Sequence, residues 1–161
     1  MSGHFTVVVN TTFRLCPWAD VLFAFDAKWW REYHAEVRRT FKGKLLTFAH
    51  SAEELEGVQS LDRCQWFGNF GNSGACAIGL AISAGAEKII LLGYDCQVNG
   101  KTHWHGDHPK GFNNVTSIQR WPAQFRSVAM DAEQAGIEII NVSRETILKC
   151  FKNVPLEEIF K

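Results

Sequence analysis

The stretch 68–95, GNFGNSGACAIGLAISAGAEKIILLGYD, decides the fold. It runs from a Gly-rich turn into a small-residue helix and out into an apolar strand. Ile78, Ala81, Ile82 and Gly85 follow the i, i+3, i+4, i+7 spacing of one helix face. Gly74, Ala75 and Gly79 let that helix approach a sheet closely, and Asn72 or Ser73 is suited to cap it. Lys88 to Leu92 then reads as a strand, with Gly93, Tyr94 and Asp95 where it ends.

The same alternation extends along the chain. Thr6–Asn10, Val21–Phe25, Lys44–Ala49 and Ile137–Ile140 are further short runs of β-type residues. Strands that are apolar without alternation are covered on both faces, as in a parallel sheet flanked by helices. Helical patterns lie near 27–42, 74–84 and 117–135, with Pro122 opening or kinking the last. The reading is α/β: a Rossmann-like three-layer fold with a mainly parallel sheet, in one domain over 1–161. The least regular stretch, 96–116, reads as a long loop over the sheet edge, and such loops are often functional.

Composition fits this class. The 161 residues are 46% hydrophobic and 12% aromatic, enough to fill a core and too apolar for a disordered chain. Seventeen basic residues balance seventeen acidic ones, which excludes the general positive field of a non-specific nucleic-acid binder. No apolar run is long enough to span a membrane, and Met1 to Thr6 lack the pattern of a signal peptide. Cys16, Cys64, Cys76, Cys96 and Cys150 form an odd, scattered set without a C-x-x-C, which reads as reduced thiols in a cytoplasmic protein.

The charge is patterned locally. At 100° per residue, Trp29, Trp30, Tyr33, Val37 and Phe41 fall within an arc of about 120°. Lys28, Arg31, Arg38, Arg39 and Lys42 share the opposite side. That stripe is either a solvated face or a contact surface for nucleic acid or an acidic partner.

Ligands of open α/β sheets bind outside the carboxyl ends of strands, beside helix N-termini. Asn10, Asp26, Asn72, Ser73, Gly74, Gly93, Asp95 and Asn141 map to such positions. The glycines alone permit ordinary capping or the cradling of a phosphate or carboxylate. The string lacks the G-x-x-x-x-G-K-[ST] pattern, and no Lys follows to reach a nucleoside triphosphate. Cys76, near the same helix start, reads as packing among alanines.

The segment from Asn72-Ser73-Gly74 through "GYD" resembles the nucleotide-binding half of a Rossmann-like glycosyltransferase superfamily. That group includes bacterial CMP-sialic-acid-dependent sialyltransferases and motility-accessory-factor glycosyltransferase-like domains. The resemblance implies that Ser73-Gly74 contacts a nucleotide and that Asn10, in "VVVN", does so from the end of an early strand. "FRLCPWAD", "LLGYD" and "THWHGDHPKG" look like a family of small phage and prophage proteins, some termed norphogenetic. That likeness covers roughly 5–160 and places the chain in a bacterial host cytoplasm. Those relatives begin with a strand and a Gly-x-Gly-Pro-Ser-Leu turn. This chain opens with Met-Ser-Gly-His-Phe and is expected to lack that first βα unit, leaving a sheet edge for another subunit to cover in a homo-oligomer.

His103-Trp-His105-Gly-Asp107-His108 matches the H-x-H-x-D-H string of metallo-β-lactamase-fold hydrolases. His103, His105, Asp107 and His108 could hold a divalent metal that makes a bound water nucleophilic. That fold needs a further His downstream, and none follows His108. The favoured reading is a lid whose imidazoles act as general acid or base, with His103, His105 and His108 as the catalytic candidates. No cofactor is favoured. The expected partner is a nucleotide or nucleotide-sugar, with glycosyltransferase-like group transfer if the protein is an enzyme. The alternatives are non-catalytic sequestration of a host nucleotide signal and a metal-dependent hydrolase.

Overall fold

Short β-branched and aromatic runs bounded by polar residues form the strands, as the apolar patterning predicts. The computed structural model describes residues 4–62, 71–96 and 118–159. Val7–Val9, Val21–Phe23, Lys44–Thr47 and Val58–Ser60 are β1 to β4. They lie side by side in chain order, and every pairing is parallel. Val9 sits opposite Phe23, and Phe23 opposite Leu46, so the strand ends share one carboxyl edge. Val21, Leu22 and Phe23 are all buried, which is what a run without alternation means in a covered parallel sheet.

Helix α1, Ala27–Thr40, links β2 to β3. It buries Trp29, Trp30, Tyr33 and Val37, and Phe41 is buried just beyond it, so the apolar arc faces the core. The Trp30 indole Nε1–H donates to the carbonyl of Ala24 at 3.1 Å, fixing the helix to the end of β2. Trp29 packs edge-on against Phe13 at 6.1 Å and tilted over Tyr33 at 5.0 Å. Such pairs each add about 0.5–1.5 kcal/mol beyond the apolar area they bury.

Helix α2, Ser73–Ser83, spans the division between two compact units, one ending at Ala77 and the other beginning at Ile78. In the second unit β5 (Lys88–Leu91), β6 (Glu138–Asn141) and β7 (Lys152–Asn153) form a parallel sheet in that order. Helix α3, Trp121–Gln134, precedes β6, and α4, Leu156–Ile159, follows β7. The architecture is Rossmann-like α/β with parallel sheets. Helices α2 and α3 stop in the same way. Gly85 and Gly136 adopt φ of 80° and 70°, and the next residues, Ala86 and Ile137, donate back to Ala81 and Ala132. Glycine adopts that left-handed turn without strain, and each turn aims the chain into a strand.

Several boundaries differ from the sequence expectation, each for a local reason. The first strand stops at Val9 because Asn10 turns to φ 50° and opens a 3-10 turn, Asn10–Arg14. Asn is among the few residues that tolerate this region. Helix α3 starts at Trp121, after a 3-10 turn over Ile118–Arg120, and Pro122 lies in its first turn, where its missing N–H costs nothing. Strands β4 and β7 carry exposed polar residues, Gln59, Lys152 and Asn153, and leave no apolar run to detect.

Candidate functional site at the carboxyl edge

In the first unit the start of α2 meets the carboxyl end of β2, and the neighbouring β1 ends beside it. Asn10 follows β1 in its left-handed conformation, and Asp26 follows β2 as the residue that starts α1. At the start of α2 the Asn72 side-chain oxygen accepts from the Ala75 N–H at 2.8 Å, so Asn72 is the helix cap. Ser73, buried in the first turn, accepts from the Phe25 N–H at 3.2 Å through its hydroxyl. That bond sets the positive end of the α2 dipole next to Asp26. A hydroxyl that accepts one bond keeps its own proton to donate to a further acceptor.

Asp26 differs from an ordinary helix cap. Its side chain makes no capping hydrogen bond, although its backbone carbonyl accepts from the Trp30 N–H at 3.2 Å. Its residue surface is exposed, yet desolvation by the surrounding chain holds its carboxyl above the usual Asp range. Its carboxylate is a hydrogen-bond acceptor at the tip of the second strand without a hydrogen-bond or ion-pair partner among the described residues.

In the second unit Gly93 and Asp95 follow β5, with Gly93 at φ 75° and Asp95 exposed. Asn141, at the end of β6, is fully buried and serves as a structural clasp. Its Nδ2 donates to the Tyr94 carbonyl at 3.0 Å and to the Thr146 hydroxyl at 3.2 Å. Its Oδ1 accepts from the Ser143 N–H at 3.0 Å. Three of its four hydrogen-bonding positions are therefore engaged within the fold. The Asp95 carbonyl accepts from the Ile147 N–H at 3.1 Å. Next to it, Cys96 sits at φ 54°, its thiol pushed up to about 12 by burial and by neighbouring Asp95 and Cys150. Such a thiol stays protonated and unreactive. Cys76 is fully buried among alanines and packs.

His103, His105, Asp107 and His108, the candidates for proton transfer or metal binding, lie outside the described residues. Among the described residues no cluster of three His, Cys, Asp or Glu side chains has metal-binding geometry.

The basic stripe of α1 is partly neutralised within the chain. Arg31 pairs with Glu54 at 3.2 Å, and Arg38 pairs with Glu56 at 2.9 Å. Both acids come from the segment that leads into β4. Exposed pairs of this kind stabilise by at most about 1 kcal/mol, but they place opposite charge beside Arg31 and Arg38.

One polar cluster has no counterpart in the sequence reading. At the carboxyl ends of β3 and β4, the Ser60 hydroxyl lies 2.5 Å from Glu53 Oε1 and 2.8 Å from His50 Nδ1. Asp62 stands 4.0 Å from His50 Nε2. The three side chains imitate a Ser-His-Asp triad, and the bond from Ser60 to Glu53 argues against one. The short bond to Glu53 takes the Ser60 proton, so His50 Nδ1 must donate to Ser60 rather than accept from it. Ser60 therefore relays between an imidazole and a carboxylate and is not an activated nucleophile. Ser60 reaches His50 and Glu53 through β4, a strand that no apolar run in the sequence marks.

No helix among the described residues is long and apolar enough to cross a membrane. No protein-family model, curated protein or solved structure matches the chain.

Proposed function

We propose that the first unit binds a nucleotide or nucleotide-sugar at the corner formed by Asn10, Asp26 and the Asn72-Ser73-Gly74 turn. The observation that carries this reading is the 3.2 Å bond from the Phe25 N–H to the Ser73 hydroxyl. It brings a helix N-terminus, suited to phosphate, beside an acceptor carboxylate at the tip of a second parallel strand. In doubly wound folds an acid near that position holds ribose hydroxyls. Asp26 takes that role here, Ser73 and Gly74 face the phosphate side, and Asn10 supplies polar contacts from β1. The partner is thus an anion with a sugar attached, which a nucleotide satisfies.

Glycosyltransferase-like group transfer rests on His103, His105 and His108 and needs no metal in this reading. In a phage setting the alternative is that the same corner sequesters a host nucleotide signal. Calorimetry of the whole chain against CMP, UDP and cyclic nucleotides tests the binding. Saturable heat with at least one is expected, and none with any member refutes the reading. Recovery of the ligand intact separates sequestration from transfer.

A further inference from the structure

The second unit contains a pocket of about 370 Å³ lined by Arg144, Thr146, Lys149, Phe151 and Asn153 among others. Residues 144–149 follow β6, so the pocket opens at the carboxyl side of the β5-β6-β7 sheet, the side on which α/β sheets hold ligands. We propose that this pocket binds a small organic phosphate monoester, with Arg144 and Lys149 holding the phosphate. This site stands independently of the nucleotide reading, which concerns the first unit.

The neutral groups of the wall are engaged in holding its shape. The Thr146 hydroxyl donates to the Tyr94 carbonyl at 2.8 Å and accepts from the Leu148 N–H at 3.1 Å. The Asn153 amide donates to the carbonyls of Asn141 and Ser143, both at 2.9 Å. A loop pinned by this many bonds presents its charged side chains from a fixed frame, which lowers the ordering cost of binding. The cations are what the frame presents. Lys149 directs one of its three ammonium protons to the Thr146 carbonyl at 3.2 Å, and two are left over. The Arg144 guanidinium has no hydrogen-bond or ion-pair partner among the described residues. Glu145 stands on the same rim and already has a partner of its own.

Charge and shape together select the ligand. A guanidinium fork matches two oxygens of a phosphate, and an ammonium adds a second charge. The volume exceeds what inorganic phosphate fills and lies at the small end of ligand pockets. Leu148 and Phe151, both nearly buried, give the lining an apolar component that suits a carbon skeleton.

The test is a titration of isotope-labelled whole chain, followed by amide NMR shifts, with phenyl phosphate, inorganic phosphate and benzoate as probes. Phenyl phosphate is expected to shift the amides of 144–149 saturably and to bind more tightly than the other two. Arg144→Gln should weaken it about ten-fold, and Arg144→Lys should recover only part of that, because a lysine lacks the fork. Lys149→Gln serves as a second surface variant with the same expected direction. Absence of a saturable shift at 144–149 overturns the proposal, as does unchanged affinity in Arg144→Gln. Benzoate binding as tightly as phenyl phosphate overturns the phosphate assignment. Inorganic phosphate doing so overturns the organic one.

Discussion

The Ser73 hydroxyl accepts a hydrogen bond from the Phe25 N–H at 3.2 Å, fastening the first turn of α2 to the residue before Asp26. Ser73→Ala leaves that partly buried N–H without its partner. A loss of about 1–2 kcal/mol in unfolding free energy is expected from urea titration. Ser73→Thr keeps the hydroxyl and should retain more of that stability than Ser73→Ala. Equal stability of wild type and Ser73→Ala would show that the bond does not hold the corner together.

Asp26 should trade stability for binding. Desolvation raises its carboxyl above the usual range in the folded chain. A raised folded value means that the favourable contribution is present below the unfolded value, near 3.9, and is lost as pH rises through the folded one. The charged form is thus the disfavoured one at neutral pH. Asp26→Asn is expected to match or exceed wild-type stability at pH 7 and to lose the difference at acid pH. Thermal unfolding across pH 3–8 would show this, and a variant less stable than wild type at pH 7 would contradict it.

The Ser60 relay gives the opposite sign. Hydrogen bonds from Ser60 hold the Glu53 carboxyl below its ordinary value. A depressed folded value contributes stability above the unfolded one, near 4.3, which is lost as pH falls through the folded one. Ser60→Ala should raise the Glu53 titration midpoint, followed by carboxyl carbon NMR. An unmoved midpoint would remove the relay.

Cys96 should be inert. With its thiol pushed up to about 12, the thiolate fraction near pH 8 is about 10⁻⁴. Alkylation of the folded chain by iodoacetamide, located by peptide mass spectrometry, is expected to spare Cys96 and to reach it after unfolding in urea. Rapid labelling in the native state would contradict the assignment.

Much of the frame is legible from residue patterning, and much of the chemistry is not. The unalternating runs Val7–Val9 and Val21–Phe23 signal covered parallel strands, and the spacing of Trp29, Tyr33 and Val37 signals which side of α1 is buried. These are local periodicities. The partners of Arg31 and Arg38 lie about twenty residues away on a segment whose strand is only three residues long. No periodicity marks such a contact, so the stripe reads as uniformly basic when Arg31 and Arg38 are paired. Asn141 is similar: position alone places it among ligand contacts, and only its three bonds reveal a buried clasp. Asp26 and Ser73 lie 47 positions apart in sequence, and their meeting at one corner follows from the fold.

The most direct measurement compares CMP with its 2′,3′-dideoxy analogue by calorimetry on wild type and Asp26→Asn. If Asp26 holds the ribose hydroxyls, wild type prefers CMP by about ten-fold or more, and Asp26→Asn loses most of that preference. Equal affinity of wild type for the two ligands, or an undiminished preference in Asp26→Asn, would contradict the account.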